Sequence, residues 1–139
     1  NVKSQFEIDH FIPKTSKRFR SETDAGFIGN LVLACHTCNH NKSNFELSES
    51  SQEILNPDLE KIKKIYYRDN MFYIRVSQDA SQEAIDFYKK LELGRETCRI
   101  DYLLLSMMEL RDKIENNDSL KCQLNEKIDF LCMKRNIMT

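Results

Sequence analysis

The stretch Phe6-Glu7-Ile8-Asp9-His10-Phe11-Ile12 decides the start of the fold, because apolar and polar residues alternate along it. A period of two places successive side chains on opposite faces of a β-strand, so the sequence predicts a strand here. Pro13 follows and ends the strand, since proline cannot donate a hydrogen bond to a sheet. Asp9 and His10 therefore lie near the end of the predicted strand.

A second strand and a short helix are predicted further along the chain. The apolar run 31–34 (LVLA) favours a strand, and a helix is expected from about Thr37. Residues 14–29 carry charges, Ser, Thr and two Gly, which indicate a loop. The order strand, loop, strand, helix predicts a compact ββα unit.

The rest of the chain is predicted to form a connector, a hairpin and helices. Segments 62–67 and 71–76 are rich in Ile, Tyr, Phe and Val, and the polar residues 68–70 between them predict a hairpin turn. Amphipathic helices are expected from about 81 to 91, from 96 to about 115, and from about 119 to 134.

We therefore predict an α+β fold with three regions: a ββα core at 1–47, a connector and β-hairpin at 48–79, and a mostly helical C-terminal region at 80–139.

Composition narrows the class of protein. Hydrophobic residues make up 40% and charged residues 31%, which is typical of a globular chain. The net charge of −1 does not by itself predict a nucleic-acid binder. No apolar run is long enough to span a membrane, and no signal-peptide pattern opens the sequence. The five cysteines, an odd number, fit a reducing cytosol better than a disulfide framework, so we expect a cytoplasmic protein without membrane association.

The residues with the clearest chemistry are Asp9, His10, Asn30 and Asn39. Asp9 offers a hard oxygen donor suited to Mg²⁺ or Mn²⁺, and His10 can take a proton from water near neutral pH. A helix after the second strand could present Asn39 opposite Asp9, and an open divalent cation with few protein ligands suits phosphodiester hydrolysis. Asn30 is a candidate to orient the His10 ring. Taken alone, Asn30 also fits a turn residue and Asn39 a helix cap.

The order and spacing of these residues resemble the HNH nucleases, the ββα-metal group. The shared motifs are Asp9-His10, Asn30-Leu31 and Cys35-x-x-Cys38-Asn39-x-x-Lys42. The resemblance covers about residues 6–45. It implies that His10 is the general base and that Asn30 orients it. It also implies that Asp9 and Asn39 bind the metal ion.

A narrower resemblance concerns the PtuB-type HNH nucleases of Septu and some retron anti-phage systems. It rests on the segments 7–14 and 30–35, on Asn56-Pro57 and on the hairpin and helical stretch that follow. It implies a DNA-cleaving subunit whose activity is controlled by an ABC-type ATPase partner, similar to PtuA.

Cys35 and Cys38 form a C-x-x-C pair. Many HNH domains with this pair carry another one upstream, and the four thiolates hold a structural zinc ion. Two thiolates fall short of the four ligands that such a site takes. Zn²⁺ is therefore expected only if further cysteine ligands lie outside this chain.

Basic residues cluster in the loop between the two strands: Lys14, Lys17, Arg18 and Arg20. Such a run is often only a solvated surface, but its position beside the predicted pocket favours contact with phosphate. Lys42, one helical turn after Asn39, is a further candidate. The C-terminal helices carry more apolar surface than a small core can cover, which indicates an ATPase partner or a homodimer.

Two functions from different classes follow. The first is a metal-dependent endonuclease acting on DNA, with an RNA target left open. The second is a degenerate zinc-knuckle module that binds nucleic acid or a partner without cleavage. The intact set of His10, Asp9, Asn30 and Asn39 favours the enzyme.

Overall fold

A computed structural model describes residues 6–138. Its elements, in chain order, are β1 (Phe6–His10), β2 (Leu31–Cys35), α1 (His36–Lys42), α2 (Glu49–Leu55), β3 (Tyr66–Arg68), β4 (Ile74–Val76), α3 (Gln82–Leu91), α4 (Glu96–Lys113) and α5 (Asp118–Ile137). Short 3-10 turns lie at Glu22–Gly26, Ile28–Asn30 and Glu60–Lys64. Over the described residues, the chain thus combines five α-helices with two small two-stranded sheets.

The strands β1 and β2 pair antiparallel, with Asp9 opposite Val32 and His10 opposite Leu31, and α1 begins directly after β2. The strand β1 ends at His10, two residues earlier than we predicted. The reason is that the next amides turn towards one residue: Phe11 N donates to Asn30 O, and Ile12 N donates to the Asn30 side chain. The predicted order strand, loop, strand, helix is present.

The helix α2 was not predicted, because we interpreted residues 48–55 as a polar connector. Its sequence, ESSQEIL, shows no apolar periodicity. The Ser48 side chain caps the helix by accepting from Ser51 N, and Leu55 anchors its end in the core. A serine at the N-cap position was the available signal.

Elements after residue 56 follow the prediction with shifted ends. The hairpin strands are shorter than predicted, since Glu60–Lys64 forms a 3-10 turn and Asp69 closes a longer turn before β4. The Ser81 side chain caps α3 by accepting from Ala84 N. The last helix continues to Ile137, three residues beyond the predicted end.

The chain divides into two compact units. Among the described residues, the first comprises 6–67 and 76–93, and the second comprises 68–75 and 94–138. The predicted regions 1–47, 48–79 and 80–139 stay a prediction. Helix α3 contacts α1 and α2, and its Phe87 and Leu91 join the apolar cluster of the first unit. That cluster comprises Phe11, Val32, Leu47, Leu55, Ala84, Phe87 and Leu91.

The second unit has a smaller apolar cluster of three buried residues, Ile100, Leu104 and Ile128, where α4 and α5 pack together. All three residues lie on the apolar faces that the amphipathic patterns of these two helices predict. None of the helices in the described residues is long and apolar enough to cross a membrane.

Candidate active site

An open cavity of about 430 Å³ lies at the end of β1 and is lined by Asp9, His10 and Asn39. Strand β1 supplies the first two residues, α1 supplies Asn39, and Lys14 contributes from the loop after Pro13. The antiparallel pairing of β1 and β2, followed at once by α1, brings the strand end and the helix together. Three of the four residues with predicted chemistry therefore meet at one cavity.

Asp9 is buried and forms an ion pair with Lys42, which is itself only 4% exposed. The Lys42 ammonium lies 3.1 Å from Asp9 Oδ2 and 3.3 Å from Oδ1. It also donates to the backbone carbonyl of His10 at 2.7 Å. We predicted a phosphate contact for Lys42, but the structure instead places it as an internal counter-ion. Each charge compensates the other, which offsets the free-energy cost of removing both from water.

The amide of Asn39 is held by Glu7, a residue that the sequence analysis did not single out. Asn39 Nδ2 donates to Glu7 Oε2 at 2.6 Å, and His36 Nδ1 lies 2.7 Å from Glu7 Oε1. The hydrogen bonds from His36 and then Asn39 lower the pKa of the Glu7 carboxyl, so it is ionised near neutral pH. Glu7 lies two positions before Asp9, and residues two apart in a strand share a face. The sequence could therefore have indicated that Glu7 lies on the same side of β1 as Asp9.

This contact orients Asn39. Because the nitrogen of the amide is bound to Glu7, its carbonyl oxygen is the atom left to accept a cation. Asp9 and Asn39 thus offer a carboxylate and an amide oxygen at the same cavity. Oxygen donors of this kind suit Mg²⁺ or Mn²⁺, which keep several positions for water or phosphate.

His10 lines the cavity, and the residue is partly exposed to solvent. Its backbone carbonyl, rather than its ring, accepts the Lys42 hydrogen bond. Lys42, which is paired with Asp9, therefore also holds the backbone of His10 in place.

Asn30 is 1% exposed and acts on the backbone that follows His10. Its Nδ2 donates to Ile12 O at 3.0 Å and to Ala25 O at 2.9 Å, and its Oδ1 accepts from Ile12 N at 2.7 Å. Both amide hydrogens are thus bound to main-chain carbonyls and not to the His10 ring. The predicted influence of Asn30 on His10 is indirect in this structure, through the course of the backbone after β1.

The basic loop residues occupy different surroundings. Lys14 lines the cavity, and Lys17 and Arg20 are exposed in the same loop. Arg18 contacts Glu46, Glu49 and Gln52 instead of pointing a free charge at the cavity. Lys14 is therefore the loop cation that is best placed for phosphate.

Cys35 and Cys38 lie close together, because Cys38 N donates to Cys35 Sγ at 3.4 Å at the start of α1. Within residues 6–138, no group of three or more His, Cys, Asp or Glu residues could hold a metal ion. A four-ligand zinc site is therefore not formed by this part of the chain. The Asp9 and Asn39 pair is of a different kind, because one of its donors is an amide.

Residues 1–45 match the model of the HNH endonuclease family. The match covers 45 of the 139 residues and contains all the residues that line the cavity. It supports assignment of this segment to the HNH nucleases, which are hydrolases that commonly use divalent metal ions. No curated protein and no solved structure matches the chain.

Proposed function

We propose that this chain is a metal-dependent HNH endonuclease that hydrolyses phosphodiester bonds in DNA. The observation that carries the proposal is the meeting of Asp9, His10 and Asn39 at one open cavity. All three lie within the segment that matches the HNH family. A carboxylate, an imidazole and an amide oxygen are the groups that metal-assisted hydrolysis requires.

Asp9 and Asn39 are the residues that would hold Mg²⁺ or Mn²⁺. When bound, such an ion supplies positive charge to the phosphate and stabilises the departing oxygen. The Lys42 ammonium is already within 3.1 Å of Asp9, so a metal ion would share this carboxylate with a fixed cation. We therefore expect modest metal affinity, dependent on Asp9.

In the proposed reaction, His10 accepts a proton from a water molecule while the water oxygen forms a bond to phosphorus. The bond between phosphorus and the 3′-oxygen breaks, and the leaving oxygen takes a proton from solvent. Lys42 holds the backbone carbonyl of His10, and Asn30 holds the backbone of Ile12, two residues later. Lys14 contributes a phosphate contact without sequence preference.

The proposal is tested by plasmid cleavage in Mg²⁺, in Mn²⁺ and in EDTA. Cleavage should require the metal, and Asp9→Asn should slow it about a hundredfold or more. Asn39→Ala should shift the metal concentration needed for half-maximal rate upward. Asn41→Ala, on the same helix and bonded to Glu92 at the protein surface, is the matched control and should behave as wild type. Metal-independent cleavage, or full activity of Asp9→Asn, would contradict the assignment.

We further propose that the chain is the nuclease effector of a bacterial anti-phage system and works with an ABC-type ATPase. The support is the resemblance of its segments 7–14 and 30–35 to the PtuB-type nucleases. Co-expression with a neighbouring ATPase should yield a stable complex whose DNA cleavage changes with ATP. Separate migration of the two proteins, and identical cleavage with and without the ATPase, would contradict this partner.

A homodimer through the C-terminal helices is the second partner proposal. Phe130, Met133 and Ile137 of α5 are 66%, 66% and 84% exposed, and their spacing places them on one side of the helix. Sedimentation velocity should show a dimer that Phe130→Gln combined with Ile137→Gln converts to monomer. A wild-type monomer at all accessible concentrations would exclude this dimer.

A second candidate function is a zinc-knuckle module that binds nucleic acid or a partner without cleaving. Two observations favour it: Lys42 already neutralises the Asp9 carboxylate, and Cys35 and Cys38 lie close together at the start of α1. The enzyme is better supported, because a binding module needs no histidine beside a carboxylate at one cavity. DNA binding with no cleavage under any metal condition would favour the module.

A further inference from the structure

The hairpin between β3 and β4 presents two large apolar side chains at its tip. Met71 is 56% exposed and Phe72 is 43% exposed. The tip is held rigidly, because Asp69 Oδ1 accepts from Met71 N at 2.9 Å and from Tyr73 N at 3.0 Å. Adjacent exposed apolar side chains become informative where they form a contiguous patch, because such patches mark interaction sites.

The backbone at the tip is strained. Phe72 has a φ of 68°, a left-handed conformation that an aromatic residue rarely adopts. Glycine or asparagine would form the same turn at lower cost. The turn therefore keeps a phenyl ring where the backbone alone would favour a small residue.

An aromatic surface continues from the tip onto α4. The Phe72 ring stacks with Tyr102, with ring centroids 5.9 Å apart, and Tyr102 is itself partly exposed. The Arg68 guanidinium lies 4.1 Å from the centre of the Tyr102 ring. Flat rings beside a guanidinium provide the surface on which unpaired bases stack in proteins that bind single-stranded nucleic acid.

Arg68 differs in its partners from the other arginines that contact this hairpin, Arg75 and Arg99. Asp69 pairs with Arg75, and Glu96 is shared by Arg99 and Lys134. Arg68 donates to the carbonyl of Phe72 and forms no ion pair with a carboxylate in the described residues. Its charge is therefore available to an anionic ligand.

We propose that the hairpin tip, with Arg68 and the rings of Phe72 and Tyr102, is a second nucleic-acid contact, which binds single-stranded DNA by base stacking and phosphate pairing. It rests on the proposed nuclease function for the identity of the ligand. It adds to that function a binding surface on the second unit, made of residues outside the cavity and outside the HNH match. A polyanion is the partner that satisfies the unpaired guanidinium and the exposed rings together.

The test measures binding of a fluorescently labelled DNA single strand, and of its duplex, to the full chain carrying His10→Ala. Phe72→Asn is the informative variant. Asparagine tolerates the left-handed turn, so this change removes the ring without adding backbone strain. Arg68→Gln removes the unpaired cation. The controls are Leu110→Gln, which removes another exposed apolar side chain of the same unit, and Lys127→Gln, which removes an exposed cation of α5.

Phe72→Asn should weaken single-strand binding about tenfold and duplex binding less. Arg68→Gln should weaken binding to both forms about threefold to tenfold and reduce the salt dependence by about one charge. Both controls should bind as the parent does. Parent-like binding by Phe72→Asn and Arg68→Gln would overturn the inference and leave the nuclease proposal intact. Absence of DNA binding by the parent, with no cleavage by wild type, would overturn both.

Discussion

The two compact units of this chain bury different kinds of side chain. The first buries an ion pair, Asp9 with Lys42, and the amide of Asn30 beside its seven-residue apolar cluster. The second buries three apolar residues and one charge, Arg135, which pairs with Asp101. The second also leaves large apolar side chains of α4 and α5 in solvent, such as Leu105 and Phe130.

The two units therefore differ in how they treat polar and apolar side chains: the first buries polar groups, and the second exposes apolar ones. Burial of a polar group is unfavourable unless hydrogen bonds replace those lost to water, and in the first unit each buried group has them. Two of these groups bind the backbone at and just after His10: Lys42 donates to His10 O, and Asn30 donates to Ile12 O. The first unit thus uses polar burial to hold the cavity lined by Asp9, His10 and Asn39, whereas the second leaves apolar side chains exposed.

The largest effect is expected at the buried ion pair. Lys42→Met should lower the free energy of unfolding by about 3–5 kcal/mol, because Asp9 would remain buried without its counter-ion. The double variant Asp9→Asn/Lys42→Met removes both charges and should recover part of the loss. Urea unfolding followed by circular dichroism measures both. A loss below about 1 kcal/mol for Lys42→Met would mean that the pair is not buried as described.

A matched pair of core truncations compares the two units directly. Leu55→Ala should cost about 4 kcal/mol and Ile100→Ala about 2 kcal/mol, although both side chains are fully buried. Leu55 is enclosed by the larger cluster, so the cavity that its truncation leaves cannot collapse. The cavity left by Ile100→Ala is bordered by fewer buried residues and can partly close. Denaturant midpoints of the two variants would test this. Equal or reversed losses would show that the smaller cluster packs as tightly.

Asn30→Ala should cost about 3 kcal/mol, since it leaves buried groups of Ile12 and Ala25 without their hydrogen bonds. The exposed Asn116→Ala is the control and should change stability by less than about 0.5 kcal/mol. Cleavage by Asn30→Ala should also fall, because the backbone after His10 is released. Unchanged stability with lost cleavage would instead support direct contact of Asn30 with the His10 ring during the reaction.

The sequence predicted the elements around the cavity more accurately than the contacts within it. The alternation of 6–12 and the apolar run 31–34 predicted both strands, because a period of two reports directly on a strand. The short helix α2 was not predicted, because a polar sequence of about two turns shows no apolar periodicity. Its position depends on a cap at Ser48 and on Leu55 in the core.

Within the site, the identity of each residue indicated its chemistry but not the side chains that it contacts. Asp9, His10 and Asn39 were predicted together, and the structure places them at one cavity. The sequence could not show that Lys42 turns inward to Asp9, or that Glu7 holds Asn39, because both contacts join residues more than thirty positions apart. Such contacts depend on how α1 packs on β1, which local patterns do not determine.

The central claim is that His10 activates water at this cavity. The most direct measurement compares Mg²⁺-dependent plasmid cleavage by wild type, His10→Ala and His40→Ala, with DNA binding measured on the same samples. His40 is an exposed histidine of α1 that does not line the cavity, so it controls for loss of an imidazole as such. We predict that His10→Ala loses cleavage by about a thousandfold or more while it retains folding and DNA binding, and that His40→Ala cleaves as wild type. Equal cleavage by wild type and His10→Ala would contradict the account.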